Sequence, residues 1–217
     1  MIYVLSGCKR SGKDTCFQIL KTHWEAQGIR VAQFAFADAL REVCAVVFGY
    51  TDADFSDGDR KESTPSPVLG PAWTPRRALQ FVGTDLFRNQ VDENVWVRVA
   101  MHRIRALLER SDVVVVTDAR FPNEIQLCKD MIEKCCSIFV ARPAQMPRAC
   151  SHESERFTQS NEENVVKIRD GDDTVEMRHS LFDYVLFNED LDELGRTLLA
   201  TFPNPPHPFS VFGQSHH

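Results

Sequence analysis

The stretch Gly7-Cys8-Lys9-Arg10-Ser11-Gly12-Lys13 constrains this chain more than any other. Ahead of it, Ile2–Leu5 ("IYVL") has the apolar run of a short buried strand. Behind it, the pattern predicts a helix from Gly12 to about Gln27, stopped by Gly28. A G-x4-G-K loop between a strand and a helix turns backbone N–H groups and the positive helix end toward phosphate oxygens. The glycines allow a tight turn and a close approach, and Lys13 supplies a mobile cation for β- and γ-phosphates. Lys9 and Arg10 add two further positive charges beside Ser11. After Gly-Lys the usual residue is Ser or Thr, whose hydroxyl sits on Mg²⁺. Here that position is Asp14, and the hydroxyl comes one step later at Thr15. A carboxylate there would repel a bare triphosphate, but beside Mg²⁺ it is a hard oxygen ligand, directly or through water.

The rest of the chain alternates strand and helix patterns. "IRVAQFAF" predicts a second strand and Asp38–Phe48 a helix. Residues 50–74 carry Asp, Ser, Gly and Pro without periodicity and predict a mobile loop. Thr74-Pro75 opens another helix, and residues 91–110 form an amphipathic one. "DVVVVTDAR" is the clearest strand, since a continuous β-branched run suits a central strand covered on both faces. A helix over about 123–134, the strand "SIFVA", a polar stretch at 142–172, the strand "FDYVLFN" and a last helix follow. This alternation predicts an α/β fold with a parallel five-stranded sheet flanked by helices and right-handed crossovers. Residues 1–202 form one expected domain, with 50–112 as an acceptor-binding segment, 142–172 as a lid-like segment and 203–217 as a Pro-rich tail.

Net charge is −6, so any anion site must be built locally against the overall sign, and general nucleic-acid binding is not expected. No apolar run approaches the length of a membrane span, and the apolar start is too short for a signal peptide. Seven cysteines without a regular framework or a C-x-x-C pair read as reduced, mostly buried thiols of a cytoplasmic protein, in a host cell if the source is viral. The sequence admits a homodimer.

Three separated motifs, "GCKRSGKDT", "TPRRALQFVGTDLFRNQVDENVWV" and "TDARFPNE", occur in the order expected of one family. Together they make the chain resemble the deoxynucleoside monophosphate kinases of phages and large DNA viruses, over most of residues 1–155. The resemblance implies a P-loop nucleoside-monophosphate-kinase fold. It also implies ATP- and Mg²⁺-dependent phosphoryl transfer to a deoxynucleoside monophosphate, and it makes Asp14 a family feature.

On the acceptor side it implies contacts from Arg77 and Arg88 to the monophosphate, where a planar fork binds bidentately. Arg76 competes with Arg77 for that role. Gly83 and Thr84 offer an N–H and a hydroxyl, and Gln80 can read a base edge. Trp96 reads as core or as a pocket wall, Asp38 as a helix start or a sugar contact, and Lys61 as a solvated lysine or an acceptor contact. "TDAR" lies at the carboxyl end of the central strand, where open α/β sheets bind ligands. Asp118 is expected to hold Mg²⁺ through water or to orient the acceptor, and Arg120 to bridge the two phosphates. Glu124 reaches the sugar or base, or simply favours the helix dipole. Arg142 and Arg148 are the lid candidates for clamping the transferring group. Glu155 belongs with His152 and Ser154 to a further family pattern, and Asn188 touches adenine or forms a turn.

Two rival readings stay open. Phosphomevalonate kinase of animal type shares the GKD loop and the D-x-R strand end, but not the "LQFVGTD…W" segment. A non-enzymatic nucleotide-binding regulatory module would need no second arginine-rich segment.

Overall fold

The computed structural model describes residues 1–8, 10–142, 168–170, 174–176 and 181–205. Five strands, β1 (Ile2–Ser6), β2 (Val31–Phe34), β3 (Val113–Ala119), β4 (Cys135–Ala141) and β7 (Tyr184–Phe187), form one sheet in the order β2-β3-β1-β4-β7. Every neighbouring pair in it is parallel. Two short strands, β5 (Ile168–Asp170) and β6 (Thr174–Glu176), form a separate antiparallel pair, the first inside the 142–172 stretch expected to be lid-like and the second just beyond it.

The two faces of the sheet follow from the strand period of two. Ile2, Val4, Val114, Val116 and Phe139 join one hydrophobic cluster, while Tyr3, Leu5, Val113, Val115 and Ile138 join the other. Helices α1 (Lys13–Glu25) and α8 (Leu191–Thr201) cover the second face through Phe17, Leu20, Trp24, Leu194 and Leu198. The first face is covered by α2 (Phe36–Phe48), α5 (Pro75–Gln80), α6 (Val95–Leu108) and α7 (Pro122–Met131). The result is a three-layer α/β/α fold. Among the described residues, no helix is long and apolar enough to cross a membrane.

Two segments differ from the sequence expectation. Residues 50–74 are not a continuous loop, because α3 (Asp52–Ser56) and α4 (Gly58–Ser63) occupy much of it. Each is set by local side-chain capping, which hydrophobic periodicity does not register. Thr51 and Asp54 form a reciprocal capping box at α3, and Asp57 accepts from the N–H groups of Asp59 and Arg60 at α4. Arg60 then closes on Asp54 at 2.6 Å and joins the two helices. The second difference is Phe81–Val91, which winds as a π-helix directly after α5. Such wide turns are rare and recur at functional sites.

Candidate active site

The glycine loop leaves the carboxyl end of β1 and enters α1. Gly7 and Gly12 have φ of 144° and 106°. A Cβ on Gly7 would strike the Val140 carbonyl, and one on Gly12 would strike the Asn188 side-chain amide. Both glycines are therefore required by conformation and by close approach. Lys13 Nζ donates to the Gly7 and Cys8 carbonyls at 2.8 Å each, so its ammonium is folded over the loop. Asn188, 1% exposed, donates from Nδ2 to the Ser11 carbonyl at 2.8 Å. Its amide therefore braces the loop, and Asn188 also lines the cavity there. Asp14 and Thr15 in the first turn of α1, with Arg10, Arg142 and Asn188, line an open cavity at this end of the sheet. Arg142 Nη1 lies 3.5 Å from the Arg10 carbonyl. Lys9, Arg148, His152, Ser154 and Glu155 lie outside the described residues.

Strand β3 is the immediate neighbour of β1, with Ser6 paired to Ala119 and Ser6 Oγ donating to the Ala119 carbonyl at 2.8 Å. The chain leaving β3 therefore emerges beside the glycine loop. It walls a second cavity, together with α2, α4, α5, the π-helix and α6. Eight residues singled out from the sequence line that cavity: Lys61, Gln80, Gly83, Thr84, Trp96, Asp118, Arg120 and Glu124. Gly83 sits where a Cβ would press on Leu40 of α2, and its carbonyl accepts from Trp96 Nε1 at 2.7 Å. Trp96 thus fills both readings, as a core residue and as a cavity wall.

Three sequence candidates do not line this cavity. Arg77 is exposed, lies over the Trp73 ring at 4.8 Å and donates to the Ala72 carbonyl at 2.6 Å. Arg76 lines the cavity in its place, held to Glu62 at 2.5 Å. The phase of α5 decides this. Arg76, Leu79, Gln80 and Gly83 follow the i, i+3, i+4, i+7 rule and share one face. Arg88 is not among the lining residues, with its guanidinium stacked 3.7 Å from the Phe121 ring and Nη2 donating to Asn123 at 3.0 Å. Asp38 is half exposed, pairs with Arg41 at 3.3 Å and does not line the cavity. Asp118, expected to hold Mg²⁺ through water or to orient the acceptor, lines the cavity, and its two carboxylate oxygens also cap α2. Oδ1 accepts from Phe36 N at 2.7 Å and Oδ2 from Ala37 N at 2.9 Å.

Charge crowding shapes the cavity. Burial, then the nearby guanidinium groups of Arg41, Arg76 and Arg120, lower the Lys61 pKa to about 8, while Asp118 opposes this. Burial pushes Asp118 up, against the two amides and Arg120 that favour its charge. Glu124 is 4% exposed, and burial raises its carboxyl to about 7, although its Oε2 accepts from the Arg120 and Phe121 N–H groups at 2.7 and 3.1 Å. The described cysteines are free, and burial pushes Cys16, Cys44, Cys135 and Cys136 up to about 12, so they are inert packing groups.

Comparison with known proteins fits this geometry. The sequence profile of the deoxynucleotide monophosphate kinase family matches residues 68–179, just over half of the chain. The chain belongs to that family. A protein of Acanthamoeba polyphaga mimivirus named deoxynucleotide monophosphate kinase is 30% identical over 139 residues, covering 58% of this chain and 67% of that one. The deoxynucleoside-5′-monophosphate kinase of Escherichia phage T5 is 42% identical over 57 residues. That alignment spans 26% of this chain and only 22% of the phage protein's length. Among solved structures, an unliganded sugar kinase from Janibacter is 15% identical with a TM-score of 0.43, covering 92% of each chain. The Mycobacterium tuberculosis APS kinase bound to AMPPNP and APS is 14% identical with a TM-score of 0.44, covering 94% of this chain and 97% of that one. As a member of this family the protein is a phosphotransferase and a nucleotide kinase.

Sequence reading missed Phe36, Leu40, Leu79 and Phe121 as cavity walls of this kinase, and named Arg76 only as a competitor. Two predictions follow from the geometry. Arg76→Ala should raise the acceptor KM about 10- to 100-fold, as expected for losing a charged hydrogen bond, whereas Arg77→Ala should change it less than about threefold. Initial-rate kinetics on the two variants checks this. The second concerns Glu124, whose folded pKa stands above its ordinary 4.5. Between about 4.5 and 7 the folded chain binds more protons than the unfolded one, so raising pH through that window costs stability. Glu124→Gln lacks that loss. Its stability relative to wild type should therefore improve by roughly 2–3 kcal/mol from pH 5 to pH 8 in urea melts.

Proposed function

We propose that this kinase transfers the γ-phosphoryl group of ATP to a deoxynucleoside 5′-monophosphate, with Mg²⁺, giving the diphosphate. The observation that carries the proposal is the pairing of Ser6 with Ala119. It sets the glycine loop and the Asp118–Arg120 segment side by side, one at each cavity. Phosphoryl transfer between two anions requires cations around both, in line, more than it requires covalent chemistry from the protein.

On the donor side, the loop amides after Gly7 and Gly12 and the start of α1 cradle the triphosphate of ATP. Lys13 exchanges its loop carbonyls for phosphate oxygens, and Arg10 and Arg142 flank the same cavity. On the acceptor side, Lys61, Arg76 and Arg120 hold the monophosphate, and Arg120 lies nearest the loop in the chain path that leaves β3. The acceptor phosphate oxygen attacks directly, so no nucleophilic side chain is needed. An arriving dianion would favour the ammonium form of Lys61, against the burial and like charges that lower its pKa.

The residues fit a Mg²⁺ ion bound mainly by phosphates. Asp14 is exposed and lines the donor cavity beside Thr15, and one carboxylate with water suffices for such a site. When bound, Mg²⁺ would neutralise charge developing between the β- and γ-phosphates. Asp118 is left to α2, where its cap fixes Phe36 and Ala37 at the cavity wall. Residues 1–202 act as one kinase domain, with 50–112 as the acceptor segment and 142–172 as the lid. Buried free thiols support work in a reducing cytoplasm.

A panel of deoxy- and ribonucleoside monophosphates and phosphomevalonate, each with ATP and Mg²⁺, tests the reading. Turnover of at least one deoxynucleotide and none of phosphomevalonate is expected, and phosphomevalonate turnover alone would overturn it. Lys13→Ala should lower kcat at least about a hundredfold. Asp14→Ala should raise the Mg²⁺ concentration for half-maximal rate about tenfold or more, and an unchanged Mg²⁺ titration removes Asp14 from the metal shell.

A further inference from the structure

Lys61 differs from the other described lysines in what surrounds it. Lys13 Nζ is held by the Gly7 and Cys8 carbonyls, Lys129 reaches the Leu181 carbonyl and Asp183, and Lys21 approaches Glu25 at 3.9 Å. Among the described residues, the Lys61 amine makes no hydrogen bond or ion pair, and Lys61 is the one lysine that lines the acceptor cavity. Its place is fixed from behind. The Lys61 N–H donates to the Asp57 carbonyl at 2.9 Å, and the neighbouring Arg60 ties α4 to Asp54 of α3. Acting on the amine are Arg41 of α2, Arg76 of α5 and Arg120 beyond β3, with Asp118 of β3 as the opposing charge. Burial and these three guanidinium groups favour the neutral amine, which titrates at about 8. A lysine that is desolvated and crowded by cations is an activated nucleophile. The phosphoryl transfer proposed above needs no nucleophilic side chain and leaves this property unused.

We propose that Lys61 is an acylation site, and that the reagents it takes are acyl phosphates, held by Arg76 and Arg120 as the acceptor phosphate is held. The proposal rests on the phosphate-binding reading of this cavity given above. An acyl phosphate joins a dianionic phosphate to a reactive carbonyl through one bridging oxygen. Guanidinium forks suit the phosphate oxygens, and the carbonyl carbon is then confined to the cavity that holds the Lys61 amine. The amine nitrogen attacks that carbon, and an N–C bond forms. The bond from the carbon to the bridging oxygen breaks, and its electron pair leaves with inorganic phosphate. The proton lost by nitrogen goes to the departing phosphate, and nothing is oxidised or reduced. The same guanidinium groups that disfavour the ammonium form of Lys61 stabilise the leaving phosphate, so one cluster serves both partners of the step. The product is an N-acyl lysine, which has lost its positive charge. It leaves Arg76 and Arg120 as the remaining cations of the cavity wall and places an acyl group among them, which closes the acceptor side.

Acetyl phosphate is the probe, used on the full chain at pH 8 with and without saturating inorganic phosphate. Acetic anhydride, which carries no phosphate, is run in parallel, and peptide mass spectrometry follows each lysine with time. Lys61 should acetylate about tenfold or more faster than Lys21, because near pH 8 about half of its amines are neutral, against under about a hundredth for an ordinary lysine. Inorganic phosphate should slow the reaction of Lys61 with acetyl phosphate severalfold and leave Lys21 unchanged. Arg76→Met should slow Lys61 severalfold more toward acetyl phosphate than toward acetic anhydride. Kinase activity on deoxynucleotides should fall in step with the fraction of Lys61 modified. Acetylation of Lys61 no faster than of Lys21, or a rate with acetyl phosphate that inorganic phosphate does not lower, would overturn the proposal. Should Arg76→Met fail to fold, the phosphate competition on wild type decides alone. Selective, phosphate-protected acetylation of a protein that phosphorylates no deoxynucleotide sinks the acceptor reading and keeps Lys61 as the site. Deoxynucleotide turnover by a protein whose Lys61 is not selected does the reverse.

Discussion

Strands β1 and β3 run side by side, and their last paired residues, Ser6 and Ala119, each lead straight into a site. The next residue after Ser6 opens the glycine loop, and the next after Ala119 is Arg120. Because the sheet is parallel, both exits lie at the same carboxyl edge, where ligands of such sheets bind. A slip of one residue between these strands would invert the faces of their buried side chains, so the hydrophobic pattern pins the register. That same pattern thereby fixes the separation of the two phosphate-handling segments. The Ser6 hydroxyl ties the junction once more through the Ala119 carbonyl, at the point where the β1–β3 register shifts. Core packing and active-site geometry are here one constraint.

Electrostatics works against the overall charge of the molecule. A chain with a net charge of −6 gathers Lys61, Arg76 and Arg120 at one cavity, with Arg41 close enough to act on Lys61. The cost shows in Lys61, whose charged form is disfavoured by burial and by its neighbours. It is partly offset by Glu62 on Arg76 and by Asp118 on Lys61. Local charge at this cavity thus runs opposite to the net charge of the chain.

The legible parts of the sequence were those governed by periodicity or by a rigid motif. The run Val113–Val116 specified a central strand, and G-x4-G-K specified the loop between β1 and α1. What was hidden depended on phase or on capping. "RR" at 76–77 does not say which arginine faces inward, because adjacent helix positions point about 100° apart. Gln80 and Gly83 could have settled it, since Arg76 lies four and seven residues before them on the same face. Arg88, later in the π-helix, ends up against Phe121 and Asn123 and does not line the cavity. Short helices such as α3 and α4 have too few residues for a hydrophobic period, and their caps alone reveal them.

The donor side shows how a distant residue enters a site without touching a ligand. Asn188 follows β7, the edge strand farthest from β2, and its backbone N–H donates to the Ala141 carbonyl at the end of β4. Its side chain crosses to the Ser11 carbonyl and fills the space that a Cβ on Gly12 would need. Glycine at position 12 thus serves two demands at once, a left-handed backbone and room for an amide. Fixing the Ser11 carbonyl turns the adjoining peptide planes, and in a phosphate loop those planes carry the N–H groups that face the anion. The last strand of the sheet is thereby coupled to the loop after the first, and the donor cavity depends on residues nearly the whole chain apart.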